Sequence, residues 1–125
     1  MKISLNLPDT IQESTAPWDD VVSDETFVNV YHDRYPCTPG HLLFVPKFNR
    51  TDCLNQAFAE AHIYGAWQVE QGKWDGFNIG LNLGAAAGQT VDWPHIHLIP
   101  RRTGDVADPT GGVRNTIPGK GNYQK

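Results

Sequence analysis

Residues 95–99 read His-Ile-His-Leu-Ile, an alternation that suits an extended strand. Successive side chains of a strand point to opposite faces, so His95 and His97 share one face while Ile96 and Leu98 point into a core on the other. Such a chain folds around a sheet with one apolar face and one face carrying paired imidazoles. Two histidines so placed can bind a phosphate, share a proton or ligate a metal. A solvated polar strand face is the plainer alternative. Pro94 cannot donate to a ladder, which predicts that the strand over 91–99 lies at a sheet edge or bends near that residue.

The rest of the chain supplies partners for that strand. Residues 26–31 are β-branched and aromatic and read as a strand. Pro36, Pro39 and Gly40 form a turn, and residues 41–45 read as a second strand ended by Pro46. Asp52 suits a helix N-cap ahead of one long helix over 54–71. Its buried stripe is expected at Leu54, Ala57, Phe58, Ala61 and Tyr64, with Gly72 ending it at C′. His62 falls within that helix and receives no role. Residues 77–83 read as another strand, and Gly84 to Gly88 as a small-residue loop. The expected class is α+β, an antiparallel sheet of about five strands with one long helix.

At 125 residues the chain is long enough for one substantial core but not two, so a single domain over 1–125 is expected. An irregular basic tail begins at about residue 101. Residues 1–100 hold five Lys/Arg against twelve Asp/Glu, whereas 101–125 hold five against two. The formal charge of −4 argues against general nucleic-acid binding. Met1 to Val22 carries Asp9, Glu13, Asp19 and Asp20 and no long apolar run, so neither a signal peptide nor a membrane span is expected there. Cys37 and Cys53 lack metal-type spacing, and the expectation is two reduced thiols in a cytoplasmic protein.

Several spaced motifs together resemble the histidine triad family of nucleotide hydrolases and transferases. Gly88-Gln89-Thr90-Val91 precedes the alternating run, and His95 and His97 fall on the family's second and third histidines. His32-Asp33, the block Pro39-Gly40-His41-Leu42-Leu43-Phe44-Val45-Pro46-Lys47, and Asn82 match further family positions. Pro100-Arg101, Gly104-Asp105-Val106 and Gly111-Gly112-Val113-Arg114 are similar to the tails of bacterial dinucleoside polyphosphate hydrolases. The likeness spans roughly 25–123. Two departures stand out. Trp93 occupies the first triad position, and no Cys-x-x-Cys near the N-terminus supplies the zinc site of some relatives. Pro94 is like the His-Pro-His of the uridylyltransferase branch, while His97 in place of glutamine is like the hydrolases.

The resemblance implies a small-molecule nucleotide partner, a homodimer, and no metal or other cofactor. It implies catalytic roles for His95, His97 and His41, with His95 as the nucleophile toward an α-phosphate. It implies nucleotide contacts from Asp33, Asn82, Gln89 and Thr90, with Asp33 on the ribose hydroxyls. Hydrolysis of a phosphoramidate or a dinucleoside polyphosphate would follow. A nucleotide-binding protein with little or no turnover is the alternative that Trp93 raises, and a metal-binding sheet protein using His41, His95 and His97 is another.

Overall fold

Five short runs, most of them β-branched or aromatic, line up across one antiparallel sheet: β1 Val21–Asp24, β2 Val28–His32, β3 Leu42–Pro46, β4 Gly76–Leu81 and β5 Ile96–Arg101. One long helix, α1 Thr51–Glu70, connects β3 to β4. These elements come from a computed structural model that describes residues 1–124. The spatial order is β1-β2-β3-β5-β4, with every neighbouring pair antiparallel, so the expected α+β class holds.

Alternation along the strands builds two cores on opposite faces. Val28, Val30, Leu42, Phe44, Ile96 and Leu98 face α1 and meet Ala57 and Ala61. Burying each of the larger aliphatic side chains contributes about 1.5–3 kcal/mol. In β4, Phe77, Ile79 and Leu81 pack against this same core, while Gly76, Asn78 and Gly80 occupy the other parity. Gly65 lets the helix come down on Phe77, since a Cβ there would lie 2.9 Å from the ring. On the second face, Leu7, Ile11, Ala16 and Trp18 cover Tyr31, Leu43, Val45 and Trp93. Asn49 anchors this N-terminal cover: its side-chain oxygen accepts from the Ile3 and Ser4 amides, and its Nδ2 donates to Ser4 and Leu7 carbonyls.

Several expectations are corrected. β5 begins at Ile96 and runs between β3 and β4, so of the two expected arrangements the edge is wrong, while the bend near Pro94 is present over 91–93. Residues 91–95 lie ahead of the strand, and Pro94 therefore never meets the ladder. The helix starts three residues earlier than expected, with Arg50 at the N-cap and no side-chain cap bond. Asp52 sits in the first turn instead, where a carboxylate interacts favourably with the helix dipole, and it pairs with Arg50. The helix's fully buried line is Cys53, Ala57, Ala61, Gly65 and Gln68; Phe58 is exposed, and Leu54 and Tyr64 are half-buried. Small residues form that line because the sheet lies close beneath it. β1 was not expected as a strand, and residues 112–116 form a short 3-10 turn in the tail.

Candidate active site

The turn into β3, the start of β5 and the loop after β4 bring the imidazoles together. His97 lies opposite Leu43 on β3 and Gly80 on β4, and the missing side chain at Gly80 leaves room above it. His95 lies one residue ahead of β5 yet keeps the same side, its ring centroid 5.1 Å from that of His97. His41, one residue before β3, places its ring 5.1 Å from His97 on the other flank.

The hydrogen bonds assign the protons on these rings. His95 Nδ1 is 2.9 Å from the Trp93 carbonyl oxygen. A carbonyl only accepts, so Nδ1 carries the hydrogen and the lone pair is on Nε2. The Cys37 amide donates to His41 Nδ1 at 3.2 Å, which puts the His41 hydrogen on Nε2. That Nε2–H donates to His97 Nδ1 at 2.9 Å, leaving the His97 hydrogen on its own Nε2. The chain of three neutral rings thus presents one lone pair, on His95, and one outward N–H, on His97.

Burial keeps the rings neutral. Desolvation lowers the pKa of His41 and of His95, against the opposing pull of Asp33 and, at His95, of the Trp93 carbonyl. His97 is lowered to about 4, first by burial and then by the charges its two neighbours would carry. The unfolded chain takes up these protons near pH 6.5, whereas the folded His97 takes its own only near 4. Stability from the cluster is therefore present above the unfolded value and declines as pH falls between the two. Urea unfolding midpoints are expected to drop between about pH 7 and about pH 5, and His97→Gln is expected to flatten that dependence.

A pocket of about 440 Å³ opens above the cluster, lined among others by His95, His97, Asp33, Asn82, Gln89 and Thr90. Asp33 closes a turn and also faces the site: Oδ1 accepts from the Tyr35 amide at 2.8 Å, and Oδ2 lies 3.5 Å from His41 Nε2. The side chain of Gln89 is spent on the loop rather than left for a phosphate. Its Oε1 accepts from the Gly84 amide, and its Nε2 donates to the Val91 and Asp92 carbonyls. Gly84 and Gly88 hold φ of +95° and +87°, a region that favours glycine, so the loop keeps its tight path beside the pocket.

Trp93 turns away from the pocket. Its indole is almost wholly buried at 1% exposure and donates to the Pro46 carbonyl at 2.8 Å. The described part of the basic tail does not reach the pocket: no described residue beyond 97 lines it, Arg101 forms a two-pronged pair with Asp105, and Arg114 donates to the Lys120 carbonyl. Lys125 lies outside the described residues. Trp18, which no sequence motif singles out, lines the pocket and lies 4.7 Å from the His95 ring.

The family model for the HIT domain matches residues 15–104, from just ahead of β1 to just past β5. The chain belongs to the HIT domain family. It is 34% identical over 97 residues to an AP-4-A phosphorylase of Mycobacterium tuberculosis, a match covering 69% of this chain and 48% of that one. It is 33% identical over 73 residues to an adenosine 5'-monophosphoramidase of Saccharomyces cerevisiae, covering 56% of this chain and 46% of that one. The chain thus spans about half the length of these two relatives. A zinc-bound histidine triad family protein from Mycobacterium smegmatis superposes with a TM-score of 0.65 at 30% identity, over 74% of this chain and 72% of that one.

In this HIT domain, Asp33, His41 and His97 offer ligand atoms all within 4.8 Å of one another, the one trio among the described residues that could hold a metal ion. The proton arrangement opposes that use. For His41 Nε2 to ligate, its hydrogen must move to Nδ1, where the Cys37 amide already donates. A metal there would break both that bond and the His41–His97 bond. No described helix is long and apolar enough to cross a membrane.

Proposed function

We propose that this HIT domain hydrolyses a nucleoside monophosphate from a phosphoramidate or a dinucleoside polyphosphate through a nucleotidyl-histidine intermediate. The observation that carries the reading is the His95 ring. Its Nδ1–H is held by the Trp93 carbonyl, so its Nε2 lone pair is available at the pocket that the ring lines. The names of the mycobacterial and yeast relatives fit the same substrate range.

His95 Nε2 attacks the α-phosphorus, the bond to the leaving group breaks, and its electron pair departs with that group. The outward N–H of His97 donates a hydrogen bond to a phosphate oxygen or to the departing atom, which takes its proton from solvent. Water then attacks the phosphorus of the nucleotidyl-histidine, the P–N bond breaks with its electron pair returning to His95 Nε2, and the proton that the water sheds passes to solvent. Splitting one displacement into two lowers each barrier, and donors already in place stabilise the charge as it develops. His41 holds the tautomer of His97, while Thr90, beside the loop that Gln89 braces, lines the pocket and offers a donor to a phosphate oxygen.

At the first triad position Trp93 keeps the one group this scheme needs, a backbone carbonyl. Asp33 has lone pairs left for the two ribose hydroxyls. A second copy of the chain, pairing along the free edge of β4, would complete the sheet as the homodimer the family resemblance implies.

The test is incubation of the purified protein with adenosine phosphoramidate and with diadenosine polyphosphates, followed by nucleotide chromatography. Release of AMP from at least one is expected. A 2′-deoxy analogue is expected to bind worse by about 1–3 kcal/mol, because one Asp33 hydrogen bond is lost. Nucleotide binding without turnover would instead support the binding-protein reading.

A further inference from the structure

His95 needs more than the correct tautomer. With the ring tethered through Cβ, one hydrogen bond at Nδ1 restrains its two torsions but still leaves the plane a range of tilt. The direction of the Nε2 lone pair depends on that plane. A nucleophile works only when its lone pair lies in line with the bond it breaks, and a misplacement of about 1 Å can cost about a hundredfold.

Two flat groups lie against the ring. The His97 imidazole is at 5.1 Å and 63°, and the Trp18 indole is at 4.7 Å and 56°. Trp18 is itself held in place. Its indole lies 6.0 Å from the Tyr31 ring and belongs to the second core with Leu7, Ile11 and Ala16. The two residues that follow it are tied to β2 and the turn beyond: Asp19 pairs with Arg34 at 2.6 Å, and the Asp20 carbonyl accepts from the His32 amide at 2.9 Å. The Asp20 carboxylate also lies 3.3 Å from His32 Nδ1. The N-terminal cover of the sheet thus ends by placing one aromatic side chain against one imidazole.

We propose that Trp18 is a positioning residue: its indole fixes the plane of the His95 ring and so aims the Nε2 lone pair at the substrate. The proposal rests on the assignment of His95 as nucleophile in the preceding subsection. It also explains why a segment outside the sheet packs so closely on the site, which the nucleotide contacts alone do not require.

The test compares wild type with Trp18→Leu, which keeps apolar bulk in the second core, and Trp18→Phe, which keeps a flat ring. Trp18→Leu is expected to lower kcat about tenfold or more while KM stays within about threefold, and Trp18→Phe to recover most of the loss. Independently of turnover, the ring protons of His95 are expected to be displaced by the indole in the NMR spectrum of the substrate-free wild type. They move toward ordinary histidine positions in Trp18→Leu, while those of His41 stay in place. Unchanged His95 ring shifts in Trp18→Leu would overturn the positioning role, as would a raised KM with kcat intact. Read without substrate, a single sharp set of His95 ring signals in wild type and Trp18→Phe that broadens or averages in Trp18→Leu supports the positioning role. Equally sharp signals in all three overturn it, even where wild type turns over neither nucleotide, a result that would count against the hydrolase reading alone.

Discussion

His95→Ala is expected to lower turnover by about a thousandfold or more, equivalent to at least about 4 kcal/mol of barrier. Nucleotide affinity should stay within about tenfold, or about 1.4 kcal/mol. The asymmetry follows from where the ring sits. Asp33, Asn82, Thr90 and the loop backbone line the pocket independently of His95, so the ground-state complex keeps most of its contacts. Within the three-ring cluster the lone pair at Nε2 has no substitute. His97 Nδ1 is already occupied by the His41 N–H, and His41 Nδ1 by the Cys37 amide. Steady-state kinetics beside equilibrium binding of a non-hydrolysable analogue checks both halves. Near-normal turnover by the variant would remove His95 from the chemistry.

Trp93→Ala is expected to cost about 3–5 kcal/mol of folding stability, measured by urea unfolding. The indole is among the largest fully buried side chains, and its removal leaves a void between β3 and the approach to β5. It also leaves the Pro46 carbonyl without the donor it has at 2.8 Å. Trp93→His separates packing from chemistry. A smaller ring fills the space less well, so stability should fall, yet the backbone carbonyl that orients His95 remains. Turnover per folded molecule is therefore expected within a few-fold of wild type. A gain of tenfold or more, about 1.4 kcal/mol, would mean that a histidine side chain at this position takes part in proton transfer and that the natural tryptophan impairs it.

The parts of the fold that sequence revealed are those where one physical rule dominates. Alternation placed Ile96 and Leu98 in the helix-facing core and His97 on the opposite face, as the register with Leu42, Leu43 and Phe44 shows. The same rule marked β4, where Phe77, Ile79 and Leu81 alternate with residues lacking apolar side chains. Where rules compete, sequence misled. Pro94 left an edge strand and a local bend equally open because its place relative to the ladder was unknown; the chain bends over 91–93 and enters β5 only after it. Asp52 has the chemistry of an N-cap, but Asn49 is held by the N-terminal segment and the helix begins directly after Arg50. β1 was missed because Val21–Asp24 mixes two valines with Ser23 and Asp24, is largely exposed, and depends on β2 for its pairing.

The candidate site divides in the same way. Its residue types were legible through motif spacing, and the structure gathers His41, His95, His97, Asp33, Asn82, Gln89 and Thr90 around or beside one pocket. What each atom is free to do was not legible. That Gln89 braces its own loop, that the Cys37 amide sets the His41 tautomer, and that Trp18 lies on His95 all depend on contacts between distant segments or on loop closure. No local pattern encodes them.

A covalent bond between His95 and a nucleoside monophosphate is the step on which the proposed mechanism turns, and rapid quenching followed by peptide mass spectrometry detects it. Wild-type protein mixed with a substrate it turns over is expected to yield a peptide containing His95 that is heavier by one nucleotidyl group, formed and lost within a single turnover. His97→Gln should accumulate it if His97 also serves the second step. Turnover with no modified peptide at any quench time, or with the nucleotidyl group on another residue, would contradict the account.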